Sequence, residues 1–136
     1  MVDKEAFKAR YGSWGIVAGA SEGIGATYAG ELAARGLNLI LVARRADLLQ
    51  SLASKLSDRY KIETKIIALD LANPDAVEQI AEETRGLEIG LLVYNAAFSA
   101  IGPFLERPLE DHIKEINTNS FTPLKLIYLF AEKMLA

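Results

Sequence analysis

Cysteine is absent from the chain, which excludes a disulfide framework, a thiolate metal site and a thiolate nucleophile at once. Histidine is nearly absent. The single residue, His112, cannot build a histidine cluster by itself and reads as a solvated helix residue, so no metal is expected. Long apolar runs are missing too: none approaches the ~18 residues of a membrane-spanning helix. Residues 1 to 13 mix charged and polar side chains without the apolar core of a signal peptide or anchor, which points to the cytoplasm. Charge of one sign is scarce. The 15 basic and 18 acidic side chains are scattered and leave a net charge of -3, with no basic stripe for nucleic acid and no polybasic cluster for a membrane. No internal repeat of solenoid type is present.

What remains is a chain of 136 residues, 51% hydrophobic, enough to bury a core as a single domain over residues 1 to 136. Its apolar residues fall into an alternation. Trp14 to Ala18 and Leu39 to Ala43 are short apolar runs without polar alternation, suited to strands buried on both faces. Between them Ile24, Ala29, Leu32 and Ala33 recur at helical spacing, and Gly36 stands where a helix end wants positive φ. Leu48, Leu49, Leu52 and Leu56 mark a second helix, and Thr64 to Leu69 a third strand. Asn73-Pro74 signals a third helix start, with Asn able to cap and Pro suited to the first turn; Val77, Ile80 and Ala81 form its inner face, and Gly86 its end. Ile89 to Tyr94 is a fourth strand. Leu109, Ile113, Ile116, Ser120, Leu124 and Ile127 make one stripe of a last helix, which Pro123 is expected to bend. Four strands, each followed by a helix, imply an α/β fold with a doubly wound parallel sheet.

The first strand-to-helix turn reads Ala18-Gly19-Ala20-Ser21-Glu22-Gly23-Ile24-Gly25. A helix beginning there presents free amides and the positive end of its dipole, and the glycines let an anion approach the main chain. Within this alternation, that is the place of a dinucleotide pyrophosphate.

The spacing Gly-x-x-x-Gly-x-Gly over Gly19, Gly23 and Gly25 resembles that of the short-chain dehydrogenase/reductase family. Asp70-Leu71 closes the third strand, where the family has an acidic residue contacting adenine. Tyr94-Asn95-Ala96-Ala97 closes the fourth, where it has Asn-Asn-Ala-Gly. Asn117-Thr118-Asn119-Ser120 with Leu124 looks like the segment whose asparagine, here Asn117, supports a proton relay. The resemblance runs from about Gly12 onward. It implies a Rossmann-like domain, the amino-terminal part of a longer reductase fold that lacks the carboxy-terminal strands, with nicotinamide dinucleotide held by Gly19, Ser21, Glu22, Gly23, Ile24, Gly25, Arg44, Asp70, Leu71, Asn95 and Ala96. Asn117 would be the one catalytic member.

At the end of the second strand an acid would favour NAD and an arginine the 2′-phosphate of NADP. The chain reads Val42-Ala43-Arg44-Arg45, so NADP(H) is expected over NAD(H), Arg44 pairing with the phosphate; Glu22 argues against, since some NADP-using relatives carry a basic residue there. Ala18 and Tyr94 replace the family's threonine and first asparagine, positions that face each other on adjacent strands. Losing both leaves neither polar group orphaned. The family's catalytic serine and Tyr-x-x-x-Lys pair have no match: Tyr128 is followed by Glu132 at that spacing. The expected activity is interconversion of a ketone and a secondary alcohol, with a catalytically silent dinucleotide-binding or oligomerisation module as the alternative. Gly12-Ser13-Trp14 and Arg44-Arg45 make the chain look most like the branch acting on steroids and long-chain 3-oxoacyl thioesters. An unpaired apolar fourth strand would leave an edge that invites another copy, hence an expected homo-oligomer.

Overall fold

A computed structural model describes residues 3 to 136. Four parallel strands, β1 (Trp14–Ala18), β2 (Asn38–Ala43), β3 (Thr64–Ala68) and β4 (Ile89–Tyr94), lie in the order β3-β2-β1-β4. The apolar runs become strands because both sheet faces are covered: Ile16, Val17 and Ala18 are wholly buried, alternate residues pointing into opposite cores. One core gathers Ile16, Ile40 and Val42 with Leu126 and Phe130; the other gathers Val17, Leu39 and Leu41 with Leu32 and Leu49. β1 is thus flanked by β2 on one side and β4 on the other, so the chain winds outward to β3 and then crosses back. That reversal opens a crevice at the carboxyl ends of β1 and β4.

Helices α2 (Gly23–Ala34), α3 (Ala46–Tyr60) and α4 (Ala76–Glu83) follow the first three strands. Gly36 ends α2 at φ +89° and Gly86 follows α4 at φ +80°, the conformation that favours glycine. Ile24, expected on the inner face of α2, is instead 66% exposed, because the helix turns Gly25, Ala29, Leu32 and Ala33 to the sheet. α4 begins at Ala76, later than Asn73-Pro74, which fold into turns with the Asn73 N–H on the Asp70 carbonyl and the Ala76 N–H on the Asn73 carbonyl. No side chain caps α4.

A further helix, α1 (Lys4–Tyr11), precedes β1 where the sequence shows only mixed charge. Asp3 caps it, accepting from the Glu5 and Ala6 N–H groups at 3.0 and 3.2 Å. None of its residues is fully buried, so no apolar stripe announces it.

The last helical stretch differs most from expectation. It comprises α5 (Leu109–Ile116), a π-helical segment (Asn117–Phe121) and α6 (Thr122–Leu135). The irregularity lies before Pro123 and is a π bulge, with Pro123 in the first turn of α6. The apolar stripe is real but faces outward: Leu109, Ile113, Ile116, Leu124 and Ile127 are each about half exposed or more. The core is filled from the other side by Thr118, Thr122, Leu126 and Phe130. Among the described residues no helix is long and apolar enough to cross a membrane, and no group of side chains is arranged to hold a metal.

Candidate functional site

The crevice is a cleft of about 270 Å³ at the carboxyl ends of the strands. Gly19, Ser21, Glu22, Arg44, Asp70, Leu71, Asn95 and Ala96 line it, eight of the positions read from the sequence. Ala43, Arg45, Leu69, Ala97, Phe98, Lys114 and Thr118 complete the wall.

Gly19 in its floor and Gly25 beneath it admit no side chain. A Cβ on Gly25 would meet the Gly19 carbonyl oxygen at 1.9 Å, and one on Gly19, whose φ is +80°, would meet the Ala96 nitrogen at 2.6 Å. The turn after β1 therefore packs backbone to backbone against the start of α2 and the end of β4. The Gly19 N–H continues the sheet onto the Val42 carbonyl, and the Asn95 N–H onto the Ala18 carbonyl, both at 2.8 Å. The Asn95 side-chain amide lies against Gly25.

α2 opens without a cap. Glu22 is the N-cap residue yet its carboxylate makes no bond to the helix amides, and no acidic residue stands in the first turn. Unsatisfied N–H groups and the positive end of the dipole remain beside the cleft, which is where an anion is favoured. Gly23, Ile24 and Gly25 form this helix start but do not line the cleft: Gly25 is buried beneath Gly19, while Gly23 and Ile24 border a separate apolar hollow with Thr27 and Tyr28.

The Glu22 carboxylate turns to Arg45, at 3.0 Å. This exposed pair joins the β1–α2 turn to the β2–α3 turn and offsets the acid's charge, so Glu22 does not face the cleft as a free anion. Arg44 is exposed at the cleft mouth and has no ion pair among the described residues. Asp70 accepts the Ala72 N–H at 2.9 Å through one carboxylate oxygen, an Asx turn that fixes its orientation.

Asn117 lies behind the wall. Its Nδ2 donates to the Ala72 carbonyl at 3.1 Å, and the neighbouring Thr122 hydroxyl donates to the Leu71 carbonyl at 2.7 Å, so the π segment is tied to the loop after β3. Thr118, one residue on, reaches the cleft. Its carbonyl accepts the Tyr94 hydroxyl at 2.5 Å. Tyr94 faces Ala18 in register across the β1–β4 ladder, as the paired departures required. Burial pushes its phenol up from 10.0 to about 12. The folded state thus holds a proton that the unfolded chain releases. Its contribution to stability is complete below pH 10 and is lost as the pH rises from 10 toward 12. Thermal melts across about pH 9 to 11 are expected to fall more steeply for the wild type than for Tyr94→Phe, and parallel slopes would remove Tyr94 from the alkaline transition.

The loop between β4 and α5 is clipped to that helix stretch. The Asn119 side chain bonds both the N–H and the carbonyl of Phe98, at 2.9 and 2.8 Å. The Ala100 N–H and the Arg107 guanidinium converge on Glu115 at 2.7 and 3.1 Å and hold its carboxyl below the usual range. His112 is not merely solvated: it stacks on Phe104 with ring centroids 4.1 Å apart, and its Nε2 lies 2.9 Å from the Phe104 carbonyl oxygen, to which it donates. Sequence reading missed the Glu22–Arg45 pair and the contributions of Phe98, Lys114 and Thr118, which reach the cleft from separate elements.

Comparison with known proteins places this geometry. Residues 14 to 136 match the family model for short chain dehydrogenases. The chain is 36% identical over 119 residues to the 7beta-hydroxysteroid dehydrogenase of Collinsella aerofaciens, covering 88% of this chain and 45% of that protein. It is 38% identical over 122 residues to the very-long-chain 3-oxoacyl-CoA reductase of Homo sapiens, covering 87% of this chain and 39% of the reductase. It thus spans about half the length, or less, of these relatives. A solved 7beta-hydroxysteroid dehydrogenase superimposes with a TM-score of 0.89 at 35% identity, over 93% of this chain and 50% of that one. A short-chain dehydrogenase from Sphingobium yanoikuyae, solved with NADPH, superimposes with a TM-score of 0.78 at 32% identity, over 89% of this chain and 46% of that one.

Proposed function

The chain belongs to the short-chain dehydrogenase/reductase family, and on that premise we propose that it is the dinucleotide-binding part, residues 1 to 136, of an NADP(H)-dependent oxidoreductase of the cytoplasm. The reaction would interconvert a ketone and a secondary alcohol. When bound, the nicotinamide cofactor supplies the hydride chemistry. The chain's own residues bind and orient it: Gly19 lets the pyrophosphate approach the main chain, Gly25 beneath it lets that turn pack on the start of α2, and the uncapped amides of α2 favour its charge. Gly23 and Ile24 shape that helix start, and Ser21, Asp70, Leu71, Asn95 and Ala96 line the rest of the cleft. Asn117 would hold the wall of the reacting end, as its tie to Ala72 allows.

The observation that carries the choice of NADP(H) over NAD(H) is Arg44, exposed at the cleft mouth without a carboxylate partner among the described residues, while the nearby Glu22 is held by Arg45. A guanidinium in that setting suits a 2′-phosphate, to which it can donate two parallel hydrogen bonds. The names of the relatives support a steroid or 3-oxoacyl thioester as substrate. Nicotinamide fluorescence titrations test the reading: NADPH is expected to bind at least ~10-fold more tightly than NADH, the worth of one charge-assisted contact. Equal affinities would remove the 2′-phosphate from the proposal, and no binding of either would remove the dinucleotide.

The outward stripe on α5 and α6, beside the free edge of β4, supports self-association as well. Sedimentation is expected to give a mass that is a multiple of 14.8 kDa, reduced to the monomer by Leu124→Lys with Ile127→Lys. A monomeric wild type would contradict this.

A further inference from the structure

The π bulge takes from one carbonyl the donor that an α-helix would give it. In an α-helix the Thr118 carbonyl would take the N–H of Thr122. Here the Thr122 N–H goes one residue further back, to Asn117. The next residue that could serve Thr118 is Pro123, which has no N–H. The carbonyl is nonetheless satisfied, because Tyr94 reaches it from the end of β4 with its hydroxyl at 2.5 Å. Ala18, the register partner of Tyr94, is wholly buried, and the phenol ring packs against the core that Ala18 and Leu126 help to form.

Thr118 lines the cleft and is itself 6% exposed. Its hydroxyl makes no hydrogen bond among the described residues, so the Tyr94 bond is the one polar hold on this residue from outside the helix. From the other side, Asn117 and Thr122 tie this stretch to the carbonyls of Ala72 and Leu71, of which Leu71 lines the cleft. This stretch is thereby stapled to the loop after β3 and to the end of β4.

We propose that Tyr94 is a positioning residue of the dinucleotide cleft, setting through the Thr118 carbonyl the place of the wall against which the cofactor rests. This rests on the dinucleotide reading above. The phenol does not line the cleft; it acts by supplying the donor that the bulge and Pro123 withhold. An orphaned carbonyl at Thr118 would drive the segment to seek water or another donor, and the wall would move with it.

The test is a double-mutant cycle on NADPH affinity, with Thr84→Val as the matched control. Thr84 is buried, its hydroxyl, like that of Tyr94, donates to a helix carbonyl, here that of Ile80, and it lies outside the cleft. Tyr94→Phe is expected to raise the Kd for NADPH about tenfold, whereas Thr84→Val, with a similar fall in Tm, leaves it within about twofold. In a Pro123→Ala background the new N–H offers Thr118 a donor in the π register, and the penalty of Tyr94→Phe is expected to shrink to about threefold or less. Unchanged affinity in Tyr94→Phe, or a penalty unmoved by Pro123→Ala, overturns the proposal. If Tyr94→Phe alone fails to fold, the double variant is expected to fold and bind, and its failure to do so counts against the proposal equally. A wild type that binds no NADPH removes the dinucleotide reading and this inference with it; a wild type that binds, with Tyr94→Phe unaffected, removes only the latter.

Discussion

Gly25→Ala is expected to cost about 3 kcal/mol or more of stability and to lower Tm by roughly 10 °C, because the added methyl would stand 1.9 Å from the Gly19 carbonyl oxygen. That oxygen belongs to the main chain of a turn bonded into the sheet through the Gly19 N–H on Val42, so no flexible side chain can yield. Either α2 lifts from β1 or the turn unfolds. Dinucleotide affinity is expected to fall by ~100-fold or more in any fraction that stays folded, since the amides at the start of α2 would be displaced from beside the cleft. Gly30→Ala on the same helix has the opposite sign. A Cβ there meets nothing within 4 Å, and the substitution is expected to stabilise by about 0.5 kcal/mol through the entropy of the unfolded chain. Thermal melts of the two variants separate a packing requirement from a general intolerance of alanine in α2.

Arg44→Ala is expected to weaken NADPH binding by roughly 10- to 100-fold and to leave NADH nearly unchanged, the worth of a bidentate contact with a charged phosphate. Its neighbour gives a second, reversed expectation. Glu22 holds Arg45 at 3.0 Å, and Glu22→Gln would remove one negative charge from the cleft mouth and release that guanidinium. NADPH affinity is expected to rise about threefold, more at low salt than at high, while the exposed pair itself contributes little stability. Isothermal titrations of both variants with both cofactors measure this. A loss of NADH affinity equal to that of NADPH in Arg44→Ala would place the arginine against the part the two cofactors share.

β1 and β2 were legible because both are buried on both faces and therefore show as apolar runs; β3 and β4, at the sheet edges, are mostly half-buried, and β3, which carries Thr64 and Lys65, was legible from its place in the alternation. The glycine turn after β1 was legible for a different reason: Gly19 and Gly25 stand where backbone meets backbone, and glycine alone tolerates that. α1 was not, since none of its residues is fully buried and amphipathic periodicity had nothing to register. The stripe from Leu109 to Ile127 shows how far periodicity reaches. It reports that a helix has an apolar face but not which neighbour that face meets, and here the core is served by Thr118, Thr122, Leu126 and Phe130 on the opposite side.

The candidate site divides along similar lines. Gly19, Ser21, Arg44, Asp70 and Asn95 end or follow strands whose order the alternation implies, so the topology gathers them at one edge. Thr118 and Lys114 reach the cleft only because the π segment is drawn down by Asn117 and Thr122 onto carbonyls 45 and 51 residues away. Local propensity carries no trace of such bonds. Pro123 was the available signal, read as a kink when its consequence is the missing N–H. Tyr94 opposite Ala18 was a second: a phenol in place of a short polar side chain beside a small residue points to a partner further off, and that partner is the Thr118 carbonyl.

The most direct test of where the cofactor lies is a titration of the isotopically labelled protein with NADPH, followed by amide chemical shifts. The expected result is a set of saturable changes at Gly19, Ser21, Gly23, Ile24, Gly25, Arg44, Asp70, Leu71, Asn95, Ala96 and Thr118, with Leu124, Ile127 and Tyr128 on the outer face of α6 unmoved. Changes confined to that outer face or to the hollow beside Thr27 and Tyr28, or no saturable change at all, would contradict a dinucleotide cleft at the carboxyl ends of the strands.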